Sequence, residues 1–129
     1  MLDTNTVSDL IKNTYPGVRR HAARHPPAAL CISAITRSEL LFGVARNPLA
    51  TRINPIVQAF LQHTDTLDWT RAVADTHGEL RARLQSRGIG VATLDLMIAA
   101  HAMSLDLPLV SSDRVFQQIE GLRLENWME

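Results

Sequence analysis

Short apolar segments alternate along this chain with longer segments whose apolar residues recur at helical spacing, and this alternation limits the fold more than any other feature. Five short strands are predicted, at Leu2–Thr4, Leu30–Ser33, Thr66–Trp69, Leu109–Ser111 and Leu122–Glu125. Because strands that are connected through helices run parallel in one sheet, the alternation predicts an α/β sandwich with a short-stranded, mostly parallel central sheet.

Helices are predicted in the intervening segments, namely Thr6–Asn13, Val18–Arg24, Thr36–Arg46, Ile56–His63, a long helix from the cap Thr70 to Arg87, Leu96–Leu105 and a short helix at Arg114–Ile119. The segment Leu96–Leu105 is apolar almost all round, so we expect that helix in the centre of the protein. Neither a repeat nor a linker divides the sequence, and we expect one domain over residues 1–129.

The charges balance in the whole chain but are unevenly placed. A net charge of zero argues against a strongly basic nucleic-acid-binding protein. Residues 1–64, however, hold seven bases and three acids, and the remainder holds six bases and ten acids. Twelve of the thirteen bases are arginine, a residue that suits a phosphate-binding surface, although GC-rich codon use explains the bias equally well.

A single cysteine, Cys31, excludes an internal disulfide and favours a reducing compartment. No apolar stretch is long enough to span a membrane, and we expect a cytoplasmic protein. Cys31 lies in an apolar strand and is expected to pack there. His101, within the apolar helix, is expected to be a hydrogen-bonded core histidine.

Four acidic residues stand where a predicted strand ends or a helix begins: Asp3, Glu39, Asp95 and Asp113. They are surrounded by apolar sequence, whereas most other acids lie on polar faces. In open α/β sheets the functional crevice lies beyond the carboxyl ends of the strands, so the four side chains are expected to converge there.

Each acid also has a structural interpretation. Asp3, Asp95 and Asp113 are suited to cap the N-terminus of a helix, and Thr36-x-x-Glu39 fits a capping box. Four carboxylates gathered without a cation would raise one another's pKa. A hard divalent ion such as Mg²⁺ or Mn²⁺, which prefers oxygen ligands, would relieve that repulsion.

Taken in order, these segments resemble the PIN-domain ribonucleases, and among them the VapC toxins of type II toxin–antitoxin systems. The resemblance rests on Leu2-Asp3-Thr4-Asn5, Ile35-Thr36-x-x-Glu39-Leu40-x-x-Gly43, Asp95-x-x-Ile98-Ala99-Ala100-x-Ala102, Leu109-Val110-x-x-Asp113 and Gly121-Leu122-x-x-Glu125-Asn126-Trp127. It implies a PIN-like α/β/α sandwich. It also implies a Mg²⁺- or Mn²⁺-dependent endoribonuclease toxin that cleaves structured RNA, either a tRNA or a ribosomal RNA loop, by attack of a metal-activated water.

The resemblance further assigns roles to residues. Asp3, Glu39, Asp95 and Asp113 would form the acidic, metal-binding catalytic pocket, although the fourth acidic position varies in the family. The polar residues Thr4, Asn5, Ser111 and Ser112 match positions that orient the carboxylates.

The implied partners are a VapB-like antitoxin, an RNA substrate and a second copy of the chain, with DNA reached only through the antitoxin. An acidic crevice beside the apolar helices at Val7–Ile11 and Leu40–Val44 would accept a peptide that carries an arginine and apolar anchors.

The arginines expected to meet the RNA backbone are Arg19, Arg20, Arg24, Arg81, Arg83 and Arg87, each of which also suits a solvated helix face. With six aromatic residues and no aromatic pair in a strand, recognition is expected to depend on RNA shape and backbone. The alternative to the enzyme is a catalytically silent PIN-like protein- or RNA-binding module whose acids only cap helices.

Overall fold

We describe the protein from a computed structural model that covers residues 1–49 and 51–128. Its α-helices are α1 Thr4–Lys12, α2 Pro16–Ala23, α3 Ala34–Ala45, α4 Ile53–His63, α5 Arg71–Ser86 and α6 Thr93–Ser104. Its strands are β1 Cys31–Ser33, β2 Asp65–Leu67, β3 Leu109–Val110 and β4 Leu124–Glu125. Two short 3₁₀ helices lie at Pro27–Ala29 and Arg114–Gln118.

The strands form a parallel sheet whose centre is a single residue, Leu2. Strand β1 pairs with β2, and β3 pairs with β4, both in parallel. Leu2 forms parallel bridges to Ile32 of β1 and to Val110 of β3. Its amide donates to the Cys31 carbonyl at 2.9 Å, and the Val110 amide donates to the Met1 carbonyl at 2.8 Å. The order across the sheet is therefore β2, β1, Leu2, β3, β4, which confirms the predicted parallel arrangement.

Two helical layers cover the sheet. Leu2, Ile32 and Val110 pack on one face among apolar residues of α1, α2, α3 and α4. Met1, Cys31 and Leu109, which precede these residues in sequence, pack on the opposite face against α5 and α6. Successive strand residues point to opposite faces of a sheet, so each of these pairs of neighbouring residues contacts both helical layers. Helix α6 is buried along most of its length, as its apolar sequence predicts.

The first predicted strand, Leu2–Thr4, is wrong beyond Leu2. Asp3 has extended backbone geometry and accepts a hydrogen bond from the Thr6 amide at 2.8 Å, so it caps α1 and the helix begins at Thr4. Helix α4 begins at Ile53 rather than Ile56. Pro55 falls within its first turn, where a missing amide hydrogen costs no helical hydrogen bond.

Both ends of α5 agree with the sequence. The Thr70 hydroxyl accepts from the Val73 amide at 3.3 Å and caps the helix as predicted. Gly88, just beyond the C-terminal end, has a φ of +69°, a left-handed conformation that glycine adopts without strain. No helix among the described residues has both the length and the apolarity needed to cross a membrane.

Candidate active site at the carboxyl edge of the sheet

Asp3 lies at the centre of the edge where the parallel strands end. Its amide donates to the Val110 carbonyl at 3.1 Å, which fixes the main chain beside β3. One carboxylate oxygen, Oδ1, accepts from the Thr6 amide and caps α1. The residue is only 3% exposed. Asp3 therefore does both things that the sequence suggested: it caps a helix, and it places a carboxylate at the sheet edge.

Glu39 reaches the same edge from α3, the helix that follows β1. The Thr4 hydroxyl donates to Glu39 Oε1 at 2.6 Å, and its oxygen lies 3.3 Å from the hydroxyl of the buried Thr36. The capping-box interpretation of Thr36 and Glu39 is wrong, because Ser33 already caps α3 through the Ile35 amide. Glu39 is thus held by a residue of another helix and not by a local cap.

Asp95 stands in the first turn of α6 without capping it. The helix begins at Thr93 after Ala92, and no side chain forms a cap there, so the capping interpretation of Asp95 is wrong. Burial raises the pKa of the Asp95 carboxyl above its ordinary value, and the negative charges of the other three acids raise it further. The charges of all three acids therefore act on Asp95, and the predicted convergence of the four side chains on one metal site stays a prediction.

Asp113 is the exposed member of the group. It follows β3, and its Oδ1 accepts from the Val115 amide at 3.0 Å, which caps the short 3₁₀ helix. The Asp113 amide donates to the hydroxyl of the buried Ser111 at 3.1 Å. This turn directs the chain from β3 back across the edge, and the structural interpretation of Asp113 as a cap is confirmed.

The four polar residues predicted to orient the carboxylates divide into two pairs. Thr4 bonds the Glu39 side chain and Ser111 bonds the Asp113 main chain. In the described part of the chain, no hydrogen bond joins Asn5 or Ser112 to any of the four acids. Asn5 is exposed, beside Thr4 on α1.

The donor set suits a hydrated magnesium or manganese ion. Across residues 1–49 and 51–128, no three His, Cys, Asp or Glu side chains are close enough to enclose an ion by themselves. Magnesium keeps several of its waters and uses one or two protein carboxylates together with substrate phosphates. The carboxylates at this edge form an open group with hydroxyls beside them, which fits a hydrated ion better than a closed protein cage does. The raised pKa of Asp95 indicates that a cation bound there would offset the negative charge around it.

Two clefts open on either side of Glu39. One, of about 460 Å³, lies between α1, α3 and α4 and is lined by aliphatic side chains that include Ile11, Leu40 and Val57, with Lys12 and Glu39 also on its wall. The other, of about 480 Å³, lies between α3 and the start of α6 and is lined by Ser38, Phe42, Arg46 and Leu94 together with Glu39. Both clefts therefore reach the acidic edge.

The predicted RNA-binding arginines lie on two helices. Arg19, Arg20 and Arg24 are exposed on and just after α2. Just after α5, Arg87 forms an ion pair with Glu120 at 2.9 Å, and Arg83 on α5 contacts the Glu120 carbonyl at 3.5 Å. The hydrogen bond from Arg87 lowers the pKa of Glu120, with further lowering by both arginine charges. Arg81 instead lines a cavity beside the loop that precedes α6.

His101 is fully buried, and the prediction of a hydrogen-bonded core histidine is confirmed. Its Nδ1 lies 2.7 Å from the Ser33 hydroxyl, and its ring meets Trp69 edge-on. Burial lowers the pKa of the imidazole, and the backbone carbonyl of Asp68 opposes that effect. Cys31 packs against the core, as expected.

Three neighbours of the site were not identified from the sequence. The sequence pattern predicts a capping role for Thr36, whereas its full burial beside Thr4 places it among the residues that position Glu39. Phe42 is 63% exposed next to the acidic edge, and the Arg46 guanidinium lies over its ring at 5.6 Å. A large aromatic residue in an apolar helix is expected to be buried in the core, so the sequence gives no indication that Phe42 is exposed.

An α/β sandwich with a parallel sheet and an acidic edge of this kind defines the class of the protein. The PIN domain model matches residues 1–122, and the chain belongs to the PIN domain family. Within that family it groups with the VapC proteins. It is 36% identical over 128 residues to the tRNA(fMet)-specific endonuclease VapC of Shigella flexneri, a match that covers 98% of this chain and 96% of the relative.

Solved structures give the same grouping. The toxin–antitoxin complex VapBC of Salmonella typhimurium, solved bound to DNA, contains a chain that is 36% identical, with a TM-score of 0.90. That match covers 98% of this chain and 96% of the other. VapBC2 of Rickettsia felis, bound to a promoter DNA fragment, matches with 28% identity and a TM-score of 0.88, covering 98% and 97% of the two chains.

Proposed function

We propose that this chain is a metal-dependent endoribonuclease toxin that cleaves structured RNA and is inhibited by a VapB-like antitoxin. The observation that carries the proposal is the pair of carboxylates at the carboxyl edge of the sheet: Asp3 is buried there beside Val110, and Thr4 next to it holds Glu39 by a 2.6 Å hydrogen bond. The charges of Asp3, Glu39 and Asp113 raise the pKa of Asp95, which supports its place beside them. The nuclease names of relatives that match nearly the full length of the chain support the same activity.

Asp3, Glu39 and Asp95 would hold a hydrated Mg²⁺ or Mn²⁺ ion, with Asp113 acting directly or through water. When bound, such an ion supplies an activated water and neutralises charge on the phosphoryl oxygens. Thr4 keeps the Glu39 carboxylate turned toward the edge, and the cap of α1 keeps Asp3 Oδ1 engaged, which leaves Oδ2 for the ion. Hydrolysis by water, without the ribose 2′-hydroxyl, leaves a 5′-phosphate and a 3′-hydroxyl.

The substrate is a structured RNA, and a tRNA is the first one to test because the Shigella relative is named for tRNA(fMet). A ribosomal RNA loop is the second. The exposed arginines of α2, with Arg81, are the residues proposed to meet the RNA backbone. Arg83 and Arg87 are already engaged by Glu120, so we expect each of them to contribute less.

The antitoxin would occupy the aliphatic cleft between α1, α3 and α4. Its apolar residues would contact Ile11, Leu40 and Val57, and an arginine would reach the acidic edge at Glu39. An arginine paired with these carboxylates would exclude the metal ion and so block the reaction. The VapBC complexes of the relatives support this partner and favour contact with DNA through the antitoxin.

A silent binding module remains the second proposal, because two of the four acids, Asp3 and Asp113, do cap helices. Glu39 and Asp95 separate the two proposals, since neither forms a cap. The experiment is to sequence RNA ends after brief induction of the wild type and of Asp95→Asn. Asp65→Asn is the control, because Asp65 is an exposed acid at the amino end of β2, away from the carboxyl edge.

For the enzyme, new 5′-phosphate ends accumulate with the wild type and with Asp65→Asn but not with Asp95→Asn. Equal end profiles for all three proteins would favour the silent module. Ends that carry a 2′,3′-cyclic phosphate would contradict hydrolysis by water, even if Asp95 were required.

A further inference from the structure

The second cleft beside Glu39 combines an aromatic ring with a cation, a pairing that the proposed chemistry does not use. Phe42 lies three residues after Glu39 on α3, so the two side chains are neighbours on the helix surface. The ring is 63% exposed, the most exposed aromatic side chain among the described residues. Burying such a ring against the protein would be favourable, so its exposure next to the acidic edge points to an external contact.

Arg46 gives this contact a defined chemistry. Its guanidinium lies over the Phe42 ring at 5.6 Å, a cation–π arrangement that leaves most of the ring accessible. The rest of the cleft is lined by Thr4, Ile35, Ser38, Glu39, Gly43 and Leu94. Its volume of about 480 Å³ is within the range of small-ligand sites. An aromatic face accepts a nucleobase, and a guanidinium accepts a phosphate. Thr4, Glu39, Gly43 and Arg46 also line the cleft between α1, α3 and α4, whereas the Phe42 ring lines only the cleft beside α6.

We propose that Phe42 is a stacking platform for one unpaired base of the RNA substrate, next to the scissile phosphate, and that Arg46 holds the phosphate of that nucleotide. The proposal rests on the ribonuclease function above and adds a specificity-determining residue to it. It favours RNA whose cleavage site is single-stranded, because moving a paired base out of its stack onto the ring would cost free energy that an unpaired base does not.

The test measures the affinity of an RNA hairpin in the Asp95→Asn background, in which the RNA is bound but not cut. Phe42→Leu is expected to weaken binding about tenfold and Phe42→Tyr to keep it, since stacking needs a ring and not only an apolar surface. Tyr15→Leu is the matched control, because Tyr15 is also an exposed aromatic but stands at the start of α2.

A double-mutant cycle between protein and RNA tests for direct stacking. Loop bases of the hairpin are removed one at a time to leave abasic nucleotides. At one position, removal of the base is expected to lower the RNA affinity of the protein with Phe42 about tenfold and to leave the affinity of Phe42→Leu almost unchanged. Equal losses for both proteins at every position would overturn the proposal.

Other occupants of the cleft give different results. A fall in molar mass in solution on Phe42→Leu, with RNA affinity unchanged, would assign the surface to a second copy. Loss of a co-expressed antitoxin, with RNA affinity unchanged, would assign it to that partner. If the otherwise unsubstituted protein cuts the hairpin and Phe42→Leu binds it equally well, this inference fails while the proposed function stands. If the protein with Phe42 neither binds nor cuts any RNA, both this inference and the proposed function fail.

Discussion

The Thr4 hydroxyl donates a 2.6 Å hydrogen bond to Glu39 Oε1, although the two residues are 35 positions apart in the chain. The bond joins the first residue of α1 to the middle of α3. A hydrogen bond to an ionised carboxylate is short and strong, and it fixes the direction of the acceptor. Thr4 therefore determines where one of the four carboxylates of the acidic edge points.

Replacing Thr4 by valine removes the donor and keeps the shape. We expect Thr4→Val to lower the rate of RNA cleavage about 10- to 100-fold, the usual effect of losing a residue that orients a metal ligand. Thr4→Ser keeps the hydroxyl and should keep most of the rate. Cleavage measured over a Mg²⁺ titration checks this, with Asn5→Ala as the control at the neighbouring exposed position. Full activity of the valine variant would contradict the assigned role.

The pKa of Asp95 predicts a stability effect in the absence of metal. An acid whose pKa is raised by folding binds its proton more tightly in the folded state, so the free energy of unfolding falls as pH rises past its ordinary pKa. In EDTA near neutral pH, Asp95→Asn should therefore melt at a higher temperature than the wild type. The difference should vanish below about pH 4.

Thermal unfolding followed by circular dichroism checks this, with and without Mg²⁺. Added Mg²⁺ should raise the melting temperature of the wild type and have less effect on Asp95→Asn, because binding to the folded state stabilises it. A lower melting temperature for Asp95→Asn in EDTA would mean that the carboxylate stabilises the fold. Asp65→Asn, which changes the same charge elsewhere, should follow the wild type.

Part of the candidate site follows from the sequence alone. Each of the four acids interrupts apolar sequence, and the structure places Asp3 and Asp113 at the helix starts that follow Leu2 and β3, as predicted. Their joint role at a metal site stays a prediction. The roles of Thr36 and Asp95 were misassigned because a cap depends on where a helix begins. Ser33 caps α3 three residues before Thr36, and α6 begins two residues before Asp95.

Contacts between distant segments had no local signal. The bond between Thr4 and Glu39 depends on the sheet bringing α1 beside α3, and the exposure of Phe42 depends on which faces of α3 the other helices cover. The spacing of apolar residues indicates that a segment is a helix, but it does not indicate which other elements pack against that helix. The element types were therefore predictable, whereas the walls of the clefts were not.

His101 predicts how stability falls in acid. Burial holds its pKa below the ordinary value, so the unfolded chain takes up a proton that the folded protein resists, and stability is lost as pH falls below about 6.5. His101→Asn can keep a contact with the Ser33 hydroxyl but cannot be protonated. We expect it to be less stable at neutral pH, because a cavity replaces the ring, yet to lose less stability on acidification.

Urea unfolding at a series of pH values measures that dependence. His63→Asn, at the exposed end of α4, is the control and should keep the slope of the wild type. If His101→Asn showed the wild-type slope, the acid sensitivity would have to come from another group.

Gly43 and Gly78 form a matched pair in two helices. Each lies inside a helix, and a Cβ atom added at either would meet nothing within 4 Å. Alanine should therefore stabilise the protein by about 0.5–1 kcal/mol at each position. Gly43, however, lines both clefts beside Glu39. We expect Gly43→Ala to weaken binding of RNA or antitoxin and Gly78→Ala to leave both unchanged. Measured unfolding free energies and affinities check the pair, and equal affinities would show that the clefts tolerate the methyl group.

The position of Leu2 sets when this protein can become active during its own synthesis. Leu2 leaves the ribosome more than a hundred residues before Val110, its neighbour in the sheet. Contacts so distant in sequence form late. A nascent chain that has not reached β3 holds Asp3 and Glu39 but lacks Asp113 and half of the sheet that positions Asp3. The enzyme we propose would therefore stay inert on the ribosome until β3 has emerged and paired with Leu2.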